Sequence, residues 1–253
     1  MSDILLTAFL VSAVLLSINS YFGLEIIRRG IIFTDLAIGQ MAALGAGLSL
    51  FFLEGEYLYP ISLSLSLLAG LIIAVASRRS NNVEAFIGLM YAFGLSGVYI
   101  LLSKSYHGME KFQNLMAADI LFTPLEEILR TAILYAVLGV ILIVMHRKAK
   151  GVMRDLLFFI TFSITVTSAV KLAGVLIVFS LLVAPALIST TIRKGIPIVN
   201  ALIIGIFLNM IAISVSYYLD FPTGYTIVFV NSFAALIASA FSQKAKSGDT
   251  VKC

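Results

Sequence analysis

Long apolar runs alternate along the chain with short connections in which charge is concentrated. Nine such runs stand out, at residues 5–23, 31–53, 61–77, 84–103, 128–146, 155–171, 173–191, 197–218 and 224–242. About twenty apolar residues are enough to cross the hydrocarbon core as a helix. The pattern therefore predicts an all-α, polytopic transmembrane bundle of about 8–9 spans, folded as one domain over residues 1–253. The run 155–190 fits two arrangements, a helical hairpin or one long helix followed by a re-entrant segment. The reversal is placed at Lys171, Ala173 and Gly174.

Composition agrees: 60% of the residues are hydrophobic and 12% are charged, about half the charge of a soluble domain. The net charge of +4 does not point to nucleic acid, because the basic residues sit in clusters between apolar runs and read as topology signals. Arg28, Arg29, Arg78, Arg79, Arg147, Lys148, Lys150, Arg154, Arg193, Lys194, Lys244, Lys246 and Lys252 all fall on one side if the spans alternate. Lys104, Lys111, Arg130 and Lys171 are the remainder. By the positive-inside rule, the N-terminus is expected outside and the C-terminus inside. Met1-Ser2-Asp3 lacks a basic n-region, so the first span is read as a retained anchor. Cys253, the lone cysteine, offers neither an internal disulfide nor metal-cluster spacing.

Catalytic signatures are missing. There is no G-x-x-x-x-G-K-[ST] loop, H-E-x-x-H pair or G-x-S-x-G elbow. The chain is not expected to be an enzyme, to hydrolyse ATP by itself, or to bind a permanent cofactor. His107 and His146 lie on opposite sides of the membrane and cannot build a two-histidine site in one chain.

The most informative polar residue is Asp35, near the start of the second run. A carboxylate inside a membrane span is costly to insert, so it usually faces a protein-lined cavity and handles a cation or a proton. Asp35, Gly39, Ala43 and Gly47 recur every four residues and share one helix face. That stripe reads either as a helix-packing seam of small residues or as the lining of a pathway. Gln40 adds a second polar group, about 140° around the helix from Asp35. Asn200, Asn209 and Asn231 suit interhelical hydrogen bonds. The hydroxyls from Thr161 to Ser168 do not form one stripe and are expected in part to bond back to their own helix. Pro185 removes a helical hydrogen bond and is expected to kink its span.

Three blocks carry a resemblance: RRGIIFTDLAIGQMAALGAGLSL at 28–50, TVTSAVKLAGVLIVFSLLVAPALIST at 165–190, and DFPTGYTIV at 220–228. In order and spacing they resemble the membrane permease subunit of zinc, manganese and iron ABC importers, over nearly the whole chain. Lys171, Gly174, Pro185 and Ala186 hold the places of the family's basic residue, glycine and Pro-Ala. The resemblance implies a homodimer with a path at its interface, cytosolic ATP-binding subunits, an extracytoplasmic metal-binding protein, and residence in the cell's inner (cytoplasmic) membrane. A divalent metal ion would be the cargo, with Asp35 as a transient ligand.

Two departures bear on the cargo and on coupling. The family's second span commonly carries Asp-x-x-x-His, whereas here Gly39 stands four residues after Asp35. Aligned instead on Gly45, Gln40 takes the histidine's place and Asp35 is displaced by one. An Asp with a carboxamide is a harder donor pair, better suited to Mn than to tight zinc binding. On the inner side the family usually has a longer segment that docks into the ATPase. Here there is only HRKAKGVMRD at 146–155, where Arg147, Lys148, Lys150 and Arg154 could meet an acidic ATPase surface or anionic lipid. Two alternatives remain, a stand-alone cation- or proton-coupled carrier and an ABC permease for an organic metal chelate.

Overall fold

The computed structural model describes residues 2–249 except 80, 81, 106, 118, 119, 121, 122, 193 and 194, and omits the side chains of 2–5, 109, 146, 147 and 242–249. Arg193, Lys194, Lys252 and Cys253 thus lie outside the described residues, as do the side chains of His146, Arg147, Lys244 and Lys246. The described residues form ten helices: α1 (Ser2–Arg29), α2 (Thr34–Phe52), α3 (Leu58–Arg79), α4 (Val83–Ser103), α5 (Gly108–Met116), α6 (Leu125–Lys148), α7 (Val152–Ala173), α8 (Val175–Thr191), α9 (Pro197–Leu219) and α10 (Thr223–Asp249). Each of the nine predicted runs corresponds to one helix. Eight are long and apolar enough to cross a membrane, and α8, with 17 residues, is the shorter ninth.

The additional helix is α5, inside the connection 104–127 that the apolar pattern leaves as a loop. Nine residues rise only about 14 Å, too little to span, but Met116 and Ala117 at its end are buried. The break between α7 and α8 is a single residue, Gly174, at φ 86° and ψ 162°. That lies in a region open essentially to glycine alone. A helix break thus falls at Gly174, among the residues where the reversal is predicted, and it is buried in the bundle, not set at its surface.

The helices assort around α2, α7 and α8. α2 packs on α3 and α4, α7 on α3 and α2, and α8 on α1, α9 and α10. α6 joins the bundle through α1 and α7. The periphery is apolar, with Ile133, Val137 and Val140 of α6 and Phe229, Phe233 and Leu236 of α10 exposed. Between its terminal turns the backbone groups of such a helix are bonded internally, which is what a lipid-facing surface requires.

Contacts between helices are closest where glycine removes a side chain. A Cβ on Gly45 would lie 2.6 Å from the Cα of Ser62, so α2 and α3 touch backbone to backbone there. The predicted stripe does not form one such seam. Gly39 faces Val166, Val170 and Val175, Gly47 faces Val98 and Leu101 of α4, and Ala43 is fully buried between them. Steps of four residues drift by about 40° each, so on a helix surrounded by protein the stripe passes from one neighbour to the next. α8 runs on through Pro185, whose ring lies beside Gly205 of α9.

One end of the bundle is tied by ions. Arg29 bonds Glu25 at 2.9 Å and Asp155 at 2.9 Å, Arg78 bonds Asp155 at 2.5 Å, and Arg28 also pairs with Glu25. The Arg29 guanidinium stacks 4.2 Å above the ring of Phe158. α1 continues to Arg29, past the predicted limit at 23, because Glu25 holds both arginines of its last turn at the i+3 and i+4 positions. Arg29 and Arg78 are thus more than topology signals, since through Asp155 they fasten α1 and α3 to the start of α7.

Candidate functional site

Asp35 stands in the first turn of α2, only 1% exposed, and neither carboxylate oxygen has a hydrogen-bond partner. The adjacent Thr34 hydroxyl is likewise buried without a partner. Gln40 is fully buried one and a half turns on. Its Nε2 donates to the sulfur of Met116 at 3.4 Å, leaving its Oε1 free. Gly94 admits α4 against this point, since a Cβ there would lie 2.8 Å from that of Gln40.

Met116 arrives from α5, and the same short helix meets the α7–α8 break. A Cβ on Gly174 would fall 2.8 Å from the backbone of Met116 and Ala117. Gly39, between Asp35 and Gln40, faces Val175 on the other side of that break. The structure thus gathers Gln40, Met116, Gly39 and Gly174 into one neighbourhood. Asp35 opens the same helix, turned about 140° from Gln40. Met116 is the residue sequence reasoning missed. Its signal is slight, an apolar residue in the middle of the polar connection 104–127.

Chemically, α2 and α5 supply a carboxylate, a carboxamide oxygen and a thioether, and none of these is a strong ligand in isolation. Among the described residues no three of His, Cys, Asp and Glu converge into a cage. Such sparse donors suit passage better than retention, since an ion that must leave cannot be held by a full coordination sphere.

Lys171 is partly exposed, and its Nζ donates to Glu127 of α6 at 2.8 Å. Of the predicted coupling residues, Lys148 and Lys150 are exposed, Arg154 is half-buried, and the side chain of Arg147 is outside the described set. The connection itself is only Ala149–Gly151, because α7 takes up Val152–Asp155. The expected interhelical asparagine bond is present, Asn231 donating to Asn209 at 2.9 Å. Thr161, Thr165 and Thr167 bond back to their own helix, as does Ser168, which also meets the Tyr135 hydroxyl.

The chain as a whole is similar to known proteins. The "probable iron transport system membrane protein" of Haemophilus influenzae is 26% identical over 193 residues, 68% of this chain and 67% of that one. The "probable metal transport system membrane protein" of Thermotoga maritima is also 26% identical, over 81% of this chain and 78% of that one. Among solved structures, PsaBC from Streptococcus pneumoniae in complex with Fab shares the fold with a TM-score of 0.76. It is 18% identical, covering 93% of this chain and 90% of that one. The pattern of the ABC 3 transport family matches residues 1–242, and the chain belongs to that family of multi-pass ABC transporter permeases.

Proposed function

We propose that the chain is the permease subunit of an ABC importer that carries a divalent metal ion, Zn, Mn or Fe, across the cytoplasmic membrane. The observation that carries this reading is Asp35, an unpartnered carboxylate closed inside a membrane bundle. An isolated buried carboxylate is expensive, and a passing cation supplies the partner it lacks. Two relatives named for iron and for metal transport support the cargo class. Membership of an ABC family favours a permease driven by ATP over a stand-alone carrier.

In this reading two copies of the chain work with ATP-binding subunits and with an extracytoplasmic protein that delivers the ion. Nucleotide bound to the partner favours one of two states of the permease through its differential affinity for them, and so shifts their populations. Asp35 and Gln40 act as transient ligands along the way. The basic residues Lys148, Lys150 and Arg154 face the ATP-binding subunits or anionic lipid.

The test is the elemental content of cells lacking this chain, complemented with the native sequence or with Asp35→Ala, under limitation for Zn, Mn and Fe in turn. A deficit in one metal, restored by the native chain and not by Asp35→Ala, is the expected outcome. No deficit in any of the three would overturn the reading.

A further inference from the structure

Between α2, α3, α5 and α7 lies a cavity of about 360 Å³, with Tyr59, Ser62, Lys111, Asn114, Thr167 and Lys171 among its walls. It lies far from the Arg29–Asp155 network, since the sixteen helical steps of α7 from Asp155 to Lys171 rise about 24 Å. Its charged lining is of one sign, the ammonium groups of Lys111 and Lys171. An ammonium group only donates, whereas the hydroxyls and the Asn114 amide both donate and accept. None of the described residues around it is a carboxylate.

Two of these groups lack partners. Ser62 is 5% exposed and its Oγ bonds to nothing. Its neighbours on the same helix behave otherwise, Ser64 donating to the Pro60 carbonyl at 2.8 Å and Ser66 to that of Leu63 at 3.0 Å. Lys111 is half-buried against the cavity and, among the described residues, has no ion-pair partner. Lys171 spends one hydrogen on Glu127 and keeps two. Thr167 is already engaged, with the Ser163 carbonyl at 2.8 Å and the Ser66 hydroxyl at 2.5 Å.

What would complete the cavity must bring acceptors and negative charge together. Water brings acceptors but no charge, and it would leave two ammonium groups lining one volume with the single Glu127 carboxylate beside them. A bare cation brings neither. We propose that this cavity binds a small oxyanion, a carboxylate or phosphate group, through Lys111, Lys171 and Ser62. The volume equals the share of about twelve waters, enough for a small polycarboxylate. The oxyanion has two possible sources, a free anion or the anionic ligand of a metal complex. The site does not rest on the ion path through Asp35, and it is read by binding heat instead of cellular metal content.

The experiment is calorimetric titration of the purified full-length chain in lipid nanodiscs with citrate and with orthophosphate, at physiological salt. Each is run alone and with equimolar Mn(II). Saturable binding is expected, weakened about tenfold or more by Lys111→Gln, the scale of a lost charge-assisted hydrogen bond, and less by Ser62→Ala. Equal heats with and without metal identify a free oxyanion, and binding seen only with metal identifies the complex. Absence of saturable heat in every arm, or native affinity in both variants, would overturn the proposal.

Discussion

The amide of Gln40 donates to the sulfur of Met116 across 3.4 Å, joining the middle of a span to the end of a helix too short to be one. The pair puts a soft thioether beside the carboxamide that, in the alignment on Gly45, stands where the resemblance expects an imidazole. Met116→Leu nearly conserves volume, an exchange that usually costs less than about 1.5 kcal/mol, and it removes the sulfur together with the bond that sulfur accepts from Gln40. If the ion passes Gln40, the variant should assemble normally while its uptake shifts from Zn and Fe toward Mn, the ion that prefers oxygen. Competitive uptake of the three ions measures this. An unchanged ratio would take Met116 off the path.

Gly174 and Gly30 both have positive φ, 86° and 68°, but their surroundings differ. A Cβ on Gly30 meets nothing within 4 Å, whereas on Gly174 it meets the backbone of Met116 and Ala117 at 2.8 Å. Gly30→Ala should therefore cost only backbone strain, about 1–2 kcal/mol. Gly174→Ala adds a clash that no side-chain rotation relieves and should cost clearly more, with loss of the α5 contact. Thermal unfolding of the two purified variants in one detergent gives the comparison. Equal losses would mean that the close approach of α5 to the helix break is unimportant.

The sequence made the spans legible because each is a long apolar run, and the break at Gly174 was visible as a glycine beside Lys171 in an otherwise unbroken stretch. Asp35 and Gln40 were visible as polar residues in apolar surroundings, and both are buried. α5 was not, since nine residues of mixed polarity resemble a loop until Phe112, Leu115 and Met116 are seen packing inward. The Glu25–Arg29–Asp155 network was also hidden. Asp155 lies 126 residues from Arg29, and charges at helix ends look alike whether they face lipid headgroups or each other. Periodicity reports which face of a helix is apolar, not which distant helix end its charges will meet.

Gly70 and Ser163 provide a pair whose energies should not add. A Cβ on Gly70 would sit 2.3 Å from the Ser163 Oγ and 3.6 Å from its Cβ. The Ser163 hydroxyl is buried and has no partner, so it contributes desolvation cost without a bond. Gly70→Ala alone should destabilise, because the hydroxyl occupies the space the methyl needs, while Ser163→Ala alone should be neutral or mildly stabilising. In the double variant the two methyl groups stand at ordinary van der Waals distance, and only the Phe159 carbonyl, 3.2 Å from the new Cβ, remains tight. Most of the loss should then be recovered, giving a coupling of about 0.5–3 kcal/mol between the two positions. A double-mutant cycle on thermal stability in detergent measures it. Strict additivity would show that α3 and α7 separate to accommodate the methyl, and that the crossing at Gly70 is not held by their backbones.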